Sequence, residues 1–150
     1  MTMKANELMI GDYVNVTGKE GLHSVDILEL LPRIGKVIGL DEEIVYVDYI
    51  DYAFSLGDVE PIPLTDDILK ASGFEKRKSG GVHFNEYLLL DDYFDVGIYE
   101  FNDGMWCFEY ECTEMSGIPY SRMNVGYVHE LQHALRLCGI EKEIIIKKED

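Results

Sequence analysis

The stretch Asn124–Gly139, NVGYVHELQHALRLCG, decides the fold of the C-terminal half of the chain. Apolar residues recur along it at helical spacing, and one side of the helix carries Val128, Leu131, Leu135 and Cys138. Asn124 is a residue type that caps helix N-termini, and Gly139 suits the left-handed position that follows a last turn. The sequence therefore predicts a helix over residues 124–138 that packs its apolar side on a sheet.

The same helix contains His129-Glu130-Leu131-Gln132-His133, the H-E-x-x-H pattern of zinc hydrolases, in which Glu130 would be the base. His129 and His133 are one turn apart and could share a metal ion. They fall on the side opposite the apolar stripe, which is widened by three further residues, Tyr127, Ala134 and Leu137. If the stripe faces the core, we expect both imidazoles to face solvent.

A catalytic zinc also needs a third protein ligand and an enclosed cavity. After the helix the chain offers only carboxylates, namely Glu141, Glu143, Glu149 and Asp150, while His23 and His83 lie far upstream. We therefore interpret the helix as a packing element and assign no catalytic, cofactor-binding or metal residue. His129 and His133, with Glu130 as base, remain the candidates of the alternative hypothesis, a zinc-dependent hydrolase.

Composition describes a folded and strongly acidic chain. Of its 150 residues 47% are hydrophobic, more than a disordered chain carries, and the net charge is −16. Such a charge repels nucleic acid and anionic membranes, and no apolar run approaches the ~20 residues of a membrane span. An odd number of cysteines, 3, without a C-x-x-C pair favours reduced thiols. We expect a cytoplasmic protein that needs no cofactor and binds neither nucleic acid nor membrane.

The N-terminal lobe, residues 1–64, reads as a series of short strands. Tyr13–Val16, Gly35–Leu40 and Ile44–Ile50 have strand composition, and acidic residues 41–43 form the turn between the last two. The stretch 23–31 has no clean period, although we favour a strand there. This pattern predicts a small SH3-like barrel or a curved sheet.

The second lobe, residues 65–150, is predicted to be α+β. Thr65 caps a short helix over 66–72, and the basic stretch 75–81 is interpreted as a solvated turn. An antiparallel meander follows over 82–112, with a hairpin at Asn102-Asp103-Gly104, then the helix 124–138 and a closing strand 143–147. The two lobes could share one core.

Three separated stretches, KANELMIGDYV at 4–14, EPIPLTDDILKASGFEK at 60–76 and YVHELQHALRLCGIE at 127–141, resemble a family of small proteins found in Bacteroides-type anaerobes, their prophages and mobile elements. The resemblance implies a bacterial or phage cytoplasmic setting and carries over no catalytic residue. It also implies Asn at the position of His133, which weakens the zinc hypothesis.

These observations favour a non-enzymatic accessory protein that interacts with another protein of unidentified kind. Two alternatives stay open. One is the zinc-dependent hydrolase; the other is an inhibitor whose acidic surface imitates the phosphate backbone of DNA and occupies a nucleic-acid-binding protein.

Overall fold

The computed structural model describes residues 3–17, 34–48, 53–78, 83–90, 94–112 and 121–146. The chain divides into two compact units, Met1–Ile62 and Pro63–Lys147. The division falls in the segment Pro61-Ile62-Pro63, where each proline restricts the residue before it to extended backbone. Both units are rich in antiparallel strands and the second adds helices, so the protein is α+β, as the sequence predicts.

The described part of the first unit forms a five-stranded antiparallel sheet. Its strands β1 to β5 are Tyr13–Val16, Ile34–Leu40, Ile44–Val47, Ala53–Ser55 and Val59–Glu60. Their order is β4-β3-β2-β1-β5, because β5 returns to pair with β1. The edges β4 and β5 do not pair among the described residues, so the predicted SH3-like barrel is not closed there. The ambiguous stretch 23–31 lies outside the described residues.

A β-bulge sets which residues of β2 enter the core of the first unit. The pairing of β2 with β3 shifts between Val37 and Gly39, so Ile38 is the extra residue. Strict alternation would turn Leu40 outward, whereas the bulge brings it opposite Val45 and against the core. That core is built mainly from alternate strand residues, among them Val14, Val16, Val37, Val45, Val47, Phe54 and Val59.

Over its described residues, the second unit contains another five-stranded antiparallel sheet and two helices. Its strands β6 to β10 are Glu75–Arg77, His83–Leu90, Phe94–Phe101, Trp106–Cys112 and Ser121–Asn124, in the order β10-β9-β8-β7-β6. The helices are α1, Asp66–Ala71, and α2, Val128–Leu137. Among the described residues, neither helix is long and apolar enough to cross a bilayer.

The predicted meander and hairpin are confirmed. Strands β7, β8 and β9 pair in sequence, and Gly104, with φ of 82°, occupies the turn between β8 and β9. The core face carries Tyr87, Ile98 and Phe108, which are opposite one another on adjacent strands and fully buried. The basic stretch at 75–81 differs from its interpretation as a turn, because Glu75–Arg77 forms the edge strand β6.

Local cap chemistry fixes α1 as predicted. The Thr65 hydroxyl accepts from the N–H of Ile68 at 3.3 Å, and Asp66 and Asp67 occupy the first turn, where the helix dipole favours carboxylates. Gly73, with φ of 93°, ends the helix in the left-handed region. Ile68 and Leu69 are the residues that α1 buries.

The long helix starts later than predicted. Asn124 ends β10, where it pairs with Cys107, and the N–H of Val125 donates to the carbonyl of Trp106. Asn124, which was predicted to cap α2, is therefore part of the sheet. The predicted helix start at 124 is wrong, because α2 begins at Val128. The C-terminal end is confirmed: Gly139 has φ of 72°, and the N–H of Ile140 donates to the carbonyl of Leu135.

The predicted closing strand is not formed over its described residues, 143–146. This segment is instead attached to the end of α1, because the N–H of Ile145 donates to the Ser72 hydroxyl at 2.8 Å. Ile144 beside it is buried. A side-chain hydroxyl thus takes the place of a neighbouring strand, while Lys147 lies outside the described residues.

Candidate functional site

Glu130 of the H-E-x-x-H sequence takes part in capping α2. The N-cap residue, Tyr127, makes no side-chain cap hydrogen bond. Glu130 Oε1 instead accepts from the N–H of Gly126 at 3.1 Å, a reaching-back contact to the residue before the N-cap, one position upstream of the donor in a capping box. The positive end of the helix dipole favours a carboxylate at this position. The carboxylate that a hydrolase would use as base is therefore held against the start of the helix.

The two histidines do not both face solvent, so that prediction is wrong for His129. His129 is only 6% exposed, whereas Leu137, expected in the apolar stripe, is 78% exposed. The reason lies at Tyr127, whose extended backbone takes its side chain off the helical wheel. The Tyr127 ring stacks on His129, with centroids 5.9 Å apart and planes at 19°. The residues that α2 buries therefore include His129 and Gln132 beside the apolar stripe.

His133 remains a neighbour of His129, as the one-turn spacing predicts. Their ring centroids are 5.7 Å apart and the rings meet edge to face. Among the residues that the structure describes, no group of three His, Cys, Asp or Glu side chains is placed to hold a metal ion. The upstream candidate His23 and the side chain of His83 lie outside the described part. Of the three protein ligands that a catalytic zinc needs, the described residues bring together two candidates, His129 and His133.

A second polar cluster, which the sequence analysis did not find, surrounds Asp66 at the start of α1. Its carboxylate accepts from the Tyr87 hydroxyl at 2.6 Å and lies 2.7 Å from the ammonium groups of both Lys70 and Lys76. Lys76 also lies 5.8 Å from the centroid of the Tyr87 ring. The signal in the sequence was the spacing of Asp66 and Lys70, four residues apart on a helix.

The electrostatics of this cluster favour a structural role. Hydrogen bonds, first from Lys70 and then from Lys76 and Tyr87, hold the pKa of Asp66 well below its usual range. Burial, and then the hydrogen bond to Asp66, raises the pKa of Tyr87 above its ordinary value. Both pKa values move away from neutrality, the opposite of what a general acid or base needs. The cluster fastens α1 to β6 and β7.

A third feature lies on the outer face of β2 and β3 in the first unit. Ile44 and Tyr46 alternate with buried residues along β3 and are 37% and 41% exposed. Tyr46 pairs with Gly39, and a Cβ on that glycine would be 3.2 Å from the Tyr46 ring, so the ring covers the glycine. Ile38, which follows buried Val37 in the alternation of β2, is 55% exposed and lies on this same face, and the bulge keeps Gly39 there as well.

A fixed turn adds one more apolar side chain beside this face. Asp12 is buried, and its Oδ2 accepts from the N–H of Met9 at 2.7 Å. The N–H of Gly11 donates to the carbonyl of Val37 at 2.7 Å, which brings Ile10 next to the bulge. Ile10 is 66% exposed. We define the outer patch as Ile10, Ile38, Ile44 and Tyr46.

The sequence predicts strands at Ile38, Ile44 and Tyr46 but neither a strand at Ile10 nor the surface that these residues form. The available signal was the run Ile44-Val45-Tyr46-Val47, since consecutive strand residues point to opposite faces and two of four apolar residues must face outward. The bulge, which no local pattern predicted, places Gly39 beneath the Tyr46 ring and turns Leu40 to the core. Comparison of the chain with protein-family models, with curated proteins and with solved structures gives no match.

Proposed function

We propose that this chain is a non-enzymatic accessory protein that binds another protein, and that the outer patch is its contact surface. The observation that carries the proposal is the exposure of four large apolar side chains on connected backbone of one unit. Single exposed apolar residues are ordinary, whereas contiguous ones mark interaction sites on soluble domains. The backbone of Ile38, Ile44 and Tyr46 lies on the paired strands β2 and β3, and the Gly11–Val37 hydrogen bond holds the backbone next to Ile10 against β2.

The backbone around the outer patch is well suited to a preorganised contact. The Tyr46 ring is supported by Gly39, and Ile10 is presented by a turn that the buried Asp12 closes. Side chains held before binding lose less conformational entropy in a complex, so more of the burial energy appears as affinity. Tyrosine is also enriched at the centres of protein interfaces.

The finer fold and the setting belong to this proposal. The return of β5 to a position beside β1 supports a small SH3-like barrel or curved sheet, an architecture that unrelated functions share. The resemblance of three sequence stretches to a prophage-associated family supports a bacterial or phage cytoplasm. Under this proposal Glu130 acts as a helix cap and not as a base.

The test compares three purified, tagged proteins as baits in a lysate of the native host. These are the wild type, Ile38→Ser in the outer patch, and Leu137→Ser as a matched control. Leu137 is also an exposed aliphatic residue, but it belongs to the second unit. Captured proteins are identified by mass spectrometry, and circular dichroism checks that both variants are folded.

We expect a partner that the wild type and Leu137→Ser retain and that Ile38→Ser loses by about tenfold or more, since central apolar residues dominate interface energies. Tyr46→Ser should repeat the loss. Partners captured equally by all variants would refute the outer patch as the contact surface. Turnover of a substrate that is abolished by Glu130→Gln would refute the non-enzymatic assignment.

A further inference from the structure

The charges around the outer patch identify the kind of partner that it fits, an inference that rests on the proposed function. Asp41, Glu42 and Glu43 form the exposed turn that joins β2 to β3 and leads directly into Ile44. Exposed Asp48 follows the other end of β3, where its Oδ1 accepts from the N–H of Lys36 at 2.9 Å. The strand that carries two of the patch residues therefore ends in carboxylates on both sides.

Lys36 also lies on this face, with its ammonium 5.6 Å from the centroid of the Tyr13 ring. This contact leaves the positive charge of Lys36 in place, but the four carboxylates at the two ends of β3 outnumber it. The chain as a whole carries a net charge of −16. The outer patch is thus an apolar centre within an acidic rim, which we define as Asp41, Glu42, Glu43 and Asp48.

We infer that the partner is a basic polypeptide segment, with Lys or Arg side chains on either side of one or more apolar anchors. Opposite charges around a contact speed association and select the partner, while the apolar centre supplies affinity. A second copy of this chain would bring two acidic rims together, and nucleic acid or an anionic lipid surface would meet the same repulsion. Charge complementarity therefore selects a cationic protein segment.

The experiment uses short random peptides displayed on phage and selected against the full-length protein at low salt. Pools are counter-selected against Ile38→Ser, so that the surviving peptides depend on the outer patch. Enriched peptides are synthesised, and their affinities are measured by fluorescence anisotropy at low salt and at about 0.5 M NaCl, where exposed charges are screened.

Two double variants with the same change in net charge separate the rim from the overall field. Glu42→Gln/Glu43→Gln removes two rim carboxylates, and Glu141→Gln/Glu143→Gln removes two exposed carboxylates of the second unit. We expect enriched peptides with an excess of Lys and Arg and at least one apolar residue. Their affinity should fall about two- to tenfold in the rim variant at low salt, and less than about twofold in the control.

The outcomes of the peptide selection and of the affinity measurements test the basic partner, the acidic rim and the contact surface separately. Enriched peptides that are neutral or acidic, but still need Ile38, would refute the basic partner and leave the proposed contact surface intact. Equal losses in the two double variants would also refute the rim. A selection in which no enriched peptide depends on Ile38 would refute the proposed contact surface itself.

Discussion

Ser72 offers the sharpest test of how the second unit is held together. Its hydroxyl donates to the carbonyl of Ile68 at 2.7 Å and accepts from the N–H of Ile145 at 2.8 Å. The side chain is buried at the end of α1. It thereby joins two segments that are 73 residues apart in sequence. We predict that Ser72→Ala weakens this unit by detaching the segment after α2.

The expected loss of stability in Ser72→Ala depends on which hydrogen bonds the Ile68 carbonyl and the Ile145 N–H retain. The Ile68 carbonyl retains the N–H of Ser72 at 3.0 Å, so loss of the donated bond costs little. The N–H of Ile145 loses its acceptor in a partly buried position, which costs about 1–2 kcal/mol. Buried Ile144 adds to this if the segment separates and exposes it. We therefore expect the free energy of unfolding to fall by about 1–2 kcal/mol.

Urea unfolding is monitored through the fluorescence of Trp106, the single tryptophan of the chain. This residue lies in the second unit, with its ring beside that of Tyr87. Amide exchange of Ile145 supplies a local readout. The matched control is Ser55→Ala in the first unit, which removes an exposed hydroxyl that accepts from the N–H of Gly57 at 3.2 Å. It removes no contact of the segment after α2, so it should leave the amide exchange of Ile145 unchanged. An unchanged transition and unchanged Ile145 exchange in Ser72→Ala would refute the reasoning.

Three further predictions concern the polar clusters. Glu130→Ala should lower the free energy of unfolding by about 0.5–1.5 kcal/mol through loss of the cap, while Glu130→Gln, which keeps an acceptor, should cost less; equal effects would contradict the cap. Hydrogen bonds, led by that from Lys70, keep the pKa of Asp66 below its ordinary value of 3.8, so its stabilisation is complete above that pH and is lost as the pH falls further. Between about pH 6 and about pH 3 the urea midpoint should therefore drop more in wild type than in Asp66→Asn, and parallel curves would rule this out. Elemental analysis should find the same sub-stoichiometric zinc in wild type and His133→Asn; one zinc per chain, lost on substitution, would favour the hydrolase.

Helix caps and turns could be predicted from the sequence wherever their hydrogen bonds join residues that are close together along the chain. Thr65 and Gly73 delimit α1 as expected, because each acts on backbone within one or two turns. The hairpin at 102–104 formed for the same reason. Asn124 failed as a cap because its backbone bonds to β9, a strand that is distant in sequence. A local cap preference is worth about 1 kcal/mol, and several sheet hydrogen bonds outweigh it.

The sequence by itself determined the α+β class, the acidic surface and the helix that follows the meander, since these depend on composition, periodicity and short-range caps. Tertiary structure decided the rest. His129 is buried, with its ring stacked on that of Tyr127, and the Glu130 carboxylate accepts a hydrogen bond at the start of α2. The segment that was predicted to form a closing strand instead donates a hydrogen bond from the N–H of Ile145 to the Ser72 hydroxyl. One extra residue in β2 also turns Leu40 towards the core. Each of these outcomes depends on contacts between residues that are far apart in sequence or on backbone pairing across the sheet. The periodicity of apolar residues along the chain does not predict such contacts.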